Sequence, residues 1–269
     1  MAICDGLETA VFHRHTSGSE ETEIDITVSM QTRALILGPG GIGSAIIHHL
    51  IAADWHCTVV GRKAEALQAW ADRYPDLATR VAPVGDWEAM EALQQELADE
   101  PPFDAVVNAV GSILLKPAHR TTATDWQTTL AQNLTSAFCA LRLAVARVER
   151  GSLLLFSSAA AQLGLGHHEA IAAAKAGIEG LTRSAAATYA GRGLRVNALA
   201  LGLVDTPLAA GLLANAAARK TSEKMHPLGR IGEADQVARI ACQLIDPAND
   251  WITGAIWSVD GGLAHVRRP

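Results

Sequence analysis

The chain has 269 residues, of which 49% are hydrophobic, and a formal net charge of -6. This length suits one α/β domain with a large core, and the mildly acidic balance argues against both a disordered chain and a nucleic-acid-binding surface. The four scattered cysteines show no metal-site spacing and no apolar run reaches the roughly 18 residues of a membrane span, so a cytoplasmic protein without metal, nucleic-acid or membrane partners is expected.

Residues 1–29 precede the first predicted strand and lack the basic start and apolar stretch of a signal peptide. We interpret them as a disordered or strand-like appendage without chemistry of its own. The remaining residues, 30–269, contain no linker or internal repeat. A single domain over residues 30–269 is therefore predicted.

Short apolar runs alternate with longer amphipathic or alanine-rich stretches from residue 33 onward, as in repeated βα units. The nearly continuous apolar runs predict strands buried on both faces of a parallel sheet that is covered by helices. Right-handed crossovers then give a doubly wound α/β domain with its ligand crevice beyond the carboxyl ends of the strands. Seven strands are predicted over residues 33–38, 56–61, 79–84, 103–110, 152–158, 194–201 and 255–262, and helices over 42–53, 63–73, 87–98, 125–148, 169–190 and 233–245.

A glycine-rich turn, GPGGIG, connects the first predicted strand to the first helix. Gly38, Gly40 and Gly43 fit the pattern G-x-G-x-x-G, in which backbone N–H groups and the helix dipole hold a pyrophosphate. A purely structural glycine turn is the alternative, but the flanking strand and helix favour a dinucleotide site of the Rossmann type.

The end of the second strand carries Arg62, where an enzyme that prefers NAD usually has an acidic residue. Its planar guanidinium suits the 2′-phosphate of NADP, so NADP is favoured and NAD remains possible as the cofactor. A solvated surface arginine is the alternative interpretation.

Several motifs in the correct order resemble those of the short-chain dehydrogenase/reductase family across residues 33–262. They are FDAVVNAVG, QNLTSAFCAL, LLLFSS, RVNALALGLVDTP and the segment from PLGRIG to VDGG. The resemblance implies that Ser158 binds the substrate carbonyl, that Asn133 holds a water of the proton relay, and that Lys175 reaches the nicotinamide ribose. Further cofactor contacts are implied for Gly41, Ile42, Asp86, Asn108, Gly111 and Thr206.

The resemblance fails at the residue that should donate a proton. Family members carry Tyr-x-x-x-Lys on the helix after the serine strand, whereas this chain has Ile171 four residues before Lys175. In the family the tyrosine gives a proton to the substrate oxygen, and isoleucine cannot do so. His168 is a candidate replacement because histidine titrates near neutral pH and position 168 would share the helix face. A surface or substrate-contacting histidine is the alternative.

Two hypotheses on function follow from the sequence. The first is an NADP(H)-dependent oxidoreductase that transfers hydride between the nicotinamide and a small carbonyl, alcohol or enoyl substrate, with an unusual proton donor. The second is a catalytically silent nucleotide-binding sensor or partner subunit, which Ile171 motivates. By analogy with the family, a homo-oligomer, either a tetramer or a dimer, is expected.

Overall fold

A seven-stranded sheet, parallel at every pairing, forms the centre of the fold. The computed structural model describes residues 31–267, so the appendage predicted over 1–29 lies outside the described residues. All seven strands expected from the sequence are present, in the order β3-β2-β1-β4-β5-β6-β9. They are β1 (Arg33–Leu37), β2 (His56–Gly61), β3 (Ala78–Val81), β4 (Ala105–Asn108), β5 (Gly151–Ser158), β6 (Leu194–Leu201) and β9 (Ile256–Val259).

Helices cover both faces of this sheet, because alternate residues of each strand point to opposite sides. In β1, Leu35 and Leu37 join one core while Ala34 and Ile36 join the other. The helices are α1 (Gly41–Ala52), α2 (Ala64–Arg73), α3 (Trp87–Glu96), α4 (Ala123–Leu130), α5 (Ser136–Arg147), α6 (Glu169–Tyr189), α7 (Ala210–Leu213), α8 (Ala216–Met225) and α9 (Ala234–Ile245). Buried residues of α3, α5 and α6 pack in the first core, and those of α1 and α9 in the second. The doubly wound arrangement is confirmed.

The long helix predicted over residues 125–148 differs in detail from the structure. It begins earlier, at α4, where Thr122 and Asp125 form a reciprocal capping box. A π-helical turn over Ala131–Thr135 then separates α4 from α5. Such a turn adds a residue to the helical repeat and is often found at functional sites. Here it contains the buried Asn133.

The segment between β6 and α9 contains short strands and helices that the sequence did not predict. It contains β7 (Val204–Asp205) and β8 (Gly232–Glu233), which pair in parallel as a separate two-stranded sheet. Between them lie α7 and α8, neither of which has a buried residue. Within residues 31–267, no helix is long and apolar enough to cross a membrane.

Candidate active site

The glycine turn between β1 and α1 leaves no room for a side chain at Gly38 or Gly43. A Cβ added to Gly43 would lie 2.0 Å from the carbonyl oxygen of Gly38, and one added to Gly38, whose φ is +91°, would lie 2.8 Å from Val110 Cγ2. A Cβ at Gly40 would meet nothing within 4 Å. Gly40 precedes α1 without a side-chain cap, so the N–H groups of the first turn stay available to an anion. This geometry fits the pyrophosphate of a dinucleotide.

The end of β2 lies beside the glycine turn. A Cβ on Gly61 would stand 3.3 Å from Pro39 Cδ, which shows how near the two segments are. Arg62 follows and is exposed, with no hydrogen bond or ion pair to the rest of residues 31–267. Lys63, also exposed, stands next to it before α2. The sequence reasoning missed this second cation, which adjacency to Arg62 could have suggested.

Asp86 has a structural task in the fold. Its Oδ1 accepts a hydrogen bond of 2.9 Å from the backbone N–H of Ala89, which caps α3. Burial raises the pKa of the Cys139 thiol on α5, and the charge of Asp86 adds to that rise. Asp86 thus lies on the α3–α5 side of the sheet, and its contact with the adenine stays a prediction.

A cavity of about 150 Å³ opens at the carboxyl ends of β4, β5 and β6. Five of the residues predicted for the site line it, namely Ile42, Gly111, Ser158, Lys175 and Thr206, and Ile171 lines it beside them. The rest of its wall is mainly apolar, with contributions from Ile113, Phe156 and Leu208. The topology therefore joins the end of the glycine turn to the serine strand and the lysine helix in one site.

Lys175 and Ile171 share the side of α6 that faces this cavity. Lys175 is 9% exposed, and its Nζ donates a hydrogen bond of 2.7 Å to the carbonyl oxygen of Phe156. Because its ammonium is desolvated, the pKa of Lys175 is lowered to about 8. Ile171, one helical turn earlier, is 5% exposed. Lys175 is therefore a buried residue of the cavity wall, unlike an ordinary lysine on an exposed helix surface.

Ser158 ends β5 with its hydroxyl at the cavity. Its Oγ donates to the carbonyl oxygen of Leu201 over 3.3 Å and accepts the N–H of Ala160 over 3.2 Å. The bond to Leu201 is long, so little is lost when the hydroxyl turns towards a ligand oxygen. This arrangement is compatible with the predicted contact to a substrate carbonyl.

Two buried asparagines fix the turn after β4. Asn133 Nδ2 donates to Ser112 Oγ and to the carbonyl of Thr129, both over 2.9 Å. Asn108 Nδ2 donates to Ser136 Oγ over 3.3 Å. Between these anchors lies Gly111, where an added Cβ would be 3.1 Å from Asn133 Oδ1 and 3.7 Å from the Nζ of the lysine on α6. The absent side chain lets the turn approach that ammonium, while the water of the proton relay stays a prediction.

His168 lies at the N-terminal end of α6, outside the lining of the cavity. Its Nδ1 is 2.7 Å from the carbonyl oxygen of Gly166, a distance at which the ring nitrogen donates. His167 precedes it with a φ of +66° and is exposed. A catalytic role for His168 stays a prediction.

A polar cluster behind the cavity was missed by the sequence reasoning. Glu179, buried and one helical turn after the lysine, accepts hydrogen bonds from Gln162 Nε2 at 2.9 Å and Ser157 Oγ at 3.0 Å. Ser157 Oγ also lies 3.1 Å from the carbonyl oxygen of Lys175. The cluster pins α6 to β5. Its signal in the sequence is a glutamate four residues after the lysine, spaced to share its helix face.

No group of three or more histidine, cysteine, aspartate or glutamate residues that could hold a metal ion occurs in residues 31–267. The loop that continues from Ile113 of the cavity wall carries an ion pair. Lys116 Nζ binds Asp125 Oδ2 over 2.5 Å, and this hydrogen bond, together with those from Thr122, lowers the pKa of Asp125 to about 2. The backbone N–H of Lys116 donates to the carbonyl of His167. The loop over this edge of the site is thus tied to the start of α6.

Known proteins match almost the whole described domain. The sequence profile of a family described as enoyl-(acyl carrier protein) reductase matches residues 37–264. A tropinone reductase homologue from Arabidopsis thaliana is 32% identical over 235 residues, which cover 84% of this chain and 90% of that protein. An oxidoreductase of the short-chain dehydrogenase/reductase family from Burkholderia thailandensis superposes with a TM-score of 0.82 at 31% identity, covering 89% and 95% of the two chains. The NADP-bound structure of ElxO shares the fold, with a TM-score of 0.80, 24% identity and coverage of 87% and 99%.

The chain belongs to the short-chain dehydrogenase/reductase family, a family of oxidoreductases that use nicotinamide cofactors. The resemblance inferred from the motifs is confirmed, as is the single doubly wound domain.

Proposed function

We propose that the protein is an NADP(H)-dependent oxidoreductase of a small carbonyl, alcohol or enoyl compound. One observation carries this proposal. The cavity brings the hydroxyl of Ser158 and the ammonium of Lys175 to the end of the glycine turn. Two donors of positive potential in an apolar cavity stabilise negative charge that develops on an oxygen.

The residues present fit a dinucleotide. The turn over residues 38–43 and the start of α1 would hold its pyrophosphate, Arg62 would bind a 2′-phosphate, and Lys175 and Thr206 would contact the nicotinamide end. When bound, the nicotinamide supplies or accepts the hydride. Ile42 and Leu208 contribute apolar surface to the cavity wall, which would limit the access of water to the reacting carbon.

The cavity wall supports a mainly apolar substrate that carries one oxygen function. Ile113, Phe156 and Ile171 contribute apolar surface to this wall. The mouth lies beside Leu208, which is 56% exposed. An apolar tail of the substrate would leave the cavity past this side chain.

Nucleotide titration followed by a substrate screen tests the proposal. We expect NADPH to bind more tightly than NADH, and carbonyl or enoyl compounds to accelerate NADPH oxidation. If neither nucleotide binds, the proposal is wrong.

A catalytically silent nucleotide-binding protein is the second candidate, and the apolar Ile171 at the cavity supports it. This candidate predicts nucleotide binding without turnover for every carbonyl and enoyl compound in the screen. Turnover by the natural protein excludes it.

We further propose that the protein is a cytoplasmic homo-oligomer, a tetramer or a dimer. Phe138 on α5 and Trp257 on β9 are each at least 40% exposed, and among residues 31–267 β9 lies at one edge of the main sheet. Light scattering at micromolar concentration is expected to give two or four times the mass of one chain, and the mass of a monomer would contradict the proposal.

The Arg62→Ser variant is expected to weaken NADPH binding by about 10- to 100-fold, because a charge-assisted hydrogen bond contributes roughly 1.5–3 kcal/mol. NADH, which has no 2′-phosphate, is the internal control and should bind within about twofold of the natural protein. Fluorescence titration of both nucleotides measures the two dissociation constants. Equal losses for NADH and NADPH would show that Arg62 does not read the 2′-phosphate.

A further inference from the structure

Among the residues that line the active-site cavity, Lys175 is the one with an ionisable side chain. The other polar side chains of the wall are the hydroxyls of Ser112, Ser157, Ser158 and Thr206. Alcohols of this kind do not lose a proton to form an alkoxide near neutral pH. Lys175 is therefore the one group in the cavity wall that can titrate and give a proton to a ligand oxygen.

The position of the lysine allows it to serve a ligand directly. Its Nζ has a single hydrogen bond in the structure, to the carbonyl oxygen of Phe156, which leaves two of its three N–H groups for other partners. A proton relay through position 171 would need a side chain with an exchangeable hydrogen. Here that side chain is the apolar Ile171, which has none.

We propose that Lys175 is itself the acid and base of the reaction and exchanges a proton directly with the substrate oxygen. This inference rests on the proposed function. In carbonyl reduction, a bound reduced nicotinamide dinucleotide would supply the hydride for the new C–H bond, and the π pair of the C=O bond would move to oxygen. That oxygen takes a proton from Nζ, the ammonium becomes a neutral amine, and the amine regains a proton from solvent. Alcohol oxidation runs through the same steps in reverse.

The surroundings of Lys175 suit this task. The side chains around it come from β5, from the turn after β4 and from the π-helical turn, and none of them is charged: Phe156, Ser157, Ser158, Ser112 and Asn133. The charged group nearest along α6, Glu179, is held by Gln162 and Ser157. Burial alone lowers the pKa of the lysine to about 8, close to the pH at which it must both give and take a proton.

The rate in each direction should depend on pH with opposite sign. Reduction requires the ammonium, so its kcat should be constant below about pH 8 and fall about tenfold per unit above it. Oxidation requires the amine, so its kcat should rise to a plateau above the same pH. Profiles that lack this shared inflection would overturn the proposal.

The Lys175→Arg variant separates proton transfer from charge, because arginine stays protonated across this range. We expect kcat to fall by roughly 10²- to 10⁴-fold while the NADPH dissociation constant changes by less than about tenfold. Lys220→Arg, on the exposed surface of α8, is the matched control and should keep both values. Lys175→Arg with kcat within threefold of the natural protein, or a large loss in His168→Ala instead, would overturn the proposal.

A measurement without turnover completes the test. The chain has five lysines, Lys63, Lys116, Lys175, Lys220 and Lys224, so the NMR signals of protein labelled with ¹³Cε-lysine are few and the signal missing in Lys175→Arg is assigned at once. That signal should titrate near pH 8. A signal that does not move below pH 9.5 would refute the proposal. If the natural protein is active but passes none of these tests, only the proposed role of Lys175 is wrong. If the natural protein shows no activity at all, the proposed function is wrong as well.

Discussion

Gly43→Ala is expected to abolish nucleotide binding and to lower the free energy of unfolding by about 3 kcal/mol or more, as for overpacking at a site that cannot relax. The new Cβ would stand 2.0 Å from the carbonyl oxygen of Gly38 and 3.3 Å from the Cβ of Ala109. That oxygen belongs to the backbone between β1 and α1, so it cannot swing aside as a flexible side chain would. Urea unfolding and NADPH fluorescence titration measure the two effects.

Gly40→Ala is the matched control for this variant. The position belongs to the same turn, but an added Cβ would have nothing within 4 Å, and its φ of -78° is open to alanine. We expect a loss of stability of no more than about 1 kcal/mol, since alanine is a poorer N-cap than glycine. Equal losses in the two variants would mean that the close approach of Gly43 to Gly38 does not control the turn.

Lys175→Met is expected to make the nucleotide-free protein more stable at pH 7, by about 2 kcal/mol. Lowering the pKa of the ammonium from 10.5 to about 8 corresponds to roughly 3 kcal/mol of penalty in the folded state. The lost hydrogen bond to the carbonyl of Phe156 offsets about 1 kcal/mol of this gain. The group that serves the active site would thus reduce the stability of the fold, as is common for functional residues.

The stability gain of Lys175→Met should decrease as the pH rises. Below about pH 8 the lysine is protonated in both the folded and the unfolded chain, so the folded state carries the whole penalty. Between about pH 8 and 10.5, Lys175 loses its proton in the folded chain but keeps it in the unfolded chain. The stability gain of Lys175→Met therefore decreases over this range. Urea unfolding at pH 7 and at pH 10.5 measures this. Lys220→Met should show no gain at either pH, and a gain for Lys175→Met that is equal at both would contradict the explanation.

The main elements of the fold were predictable because their signals are local. Five strands of the main sheet are short apolar runs buried along nearly their whole length, whereas the edge strands β3 and β9 are only partly buried. The GPGGIG turn marks the first strand-to-helix junction. The pairing of β7 with β8 was not predictable, since each strand has two residues and no periodicity. The π-helical turn was missed for a related reason, because one extra residue barely disturbs the apolar pattern of the long helix.

The sequence predicted only those residues of the site that belong to recognisable sequence motifs. Ser158, Lys175 and Thr206 line the cavity as the motifs implied. The sequence could not show that Lys175 is the one ionisable side chain there, because the wall is assembled from two helices, α1 and α6, and from the carboxyl ends of several strands and the loops that follow them. The capping role of Asp86 depends on where α3 begins, and helix boundaries are the least certain part of a sequence-based assignment.

The strand order has a consequence for how the chain folds during synthesis. β1 lies between β2, which follows it closely, and β4, which begins only at Ala105. Until β4 emerges, one edge of β1 has no partner, although residues 34–37 are all fully buried in the finished domain. A nascent or truncated chain that ends near residue 98 would expose this apolar edge and aggregate. The growing chain therefore becomes protected from aggregation at β1 only after residues through Asn108 have emerged and paired with it.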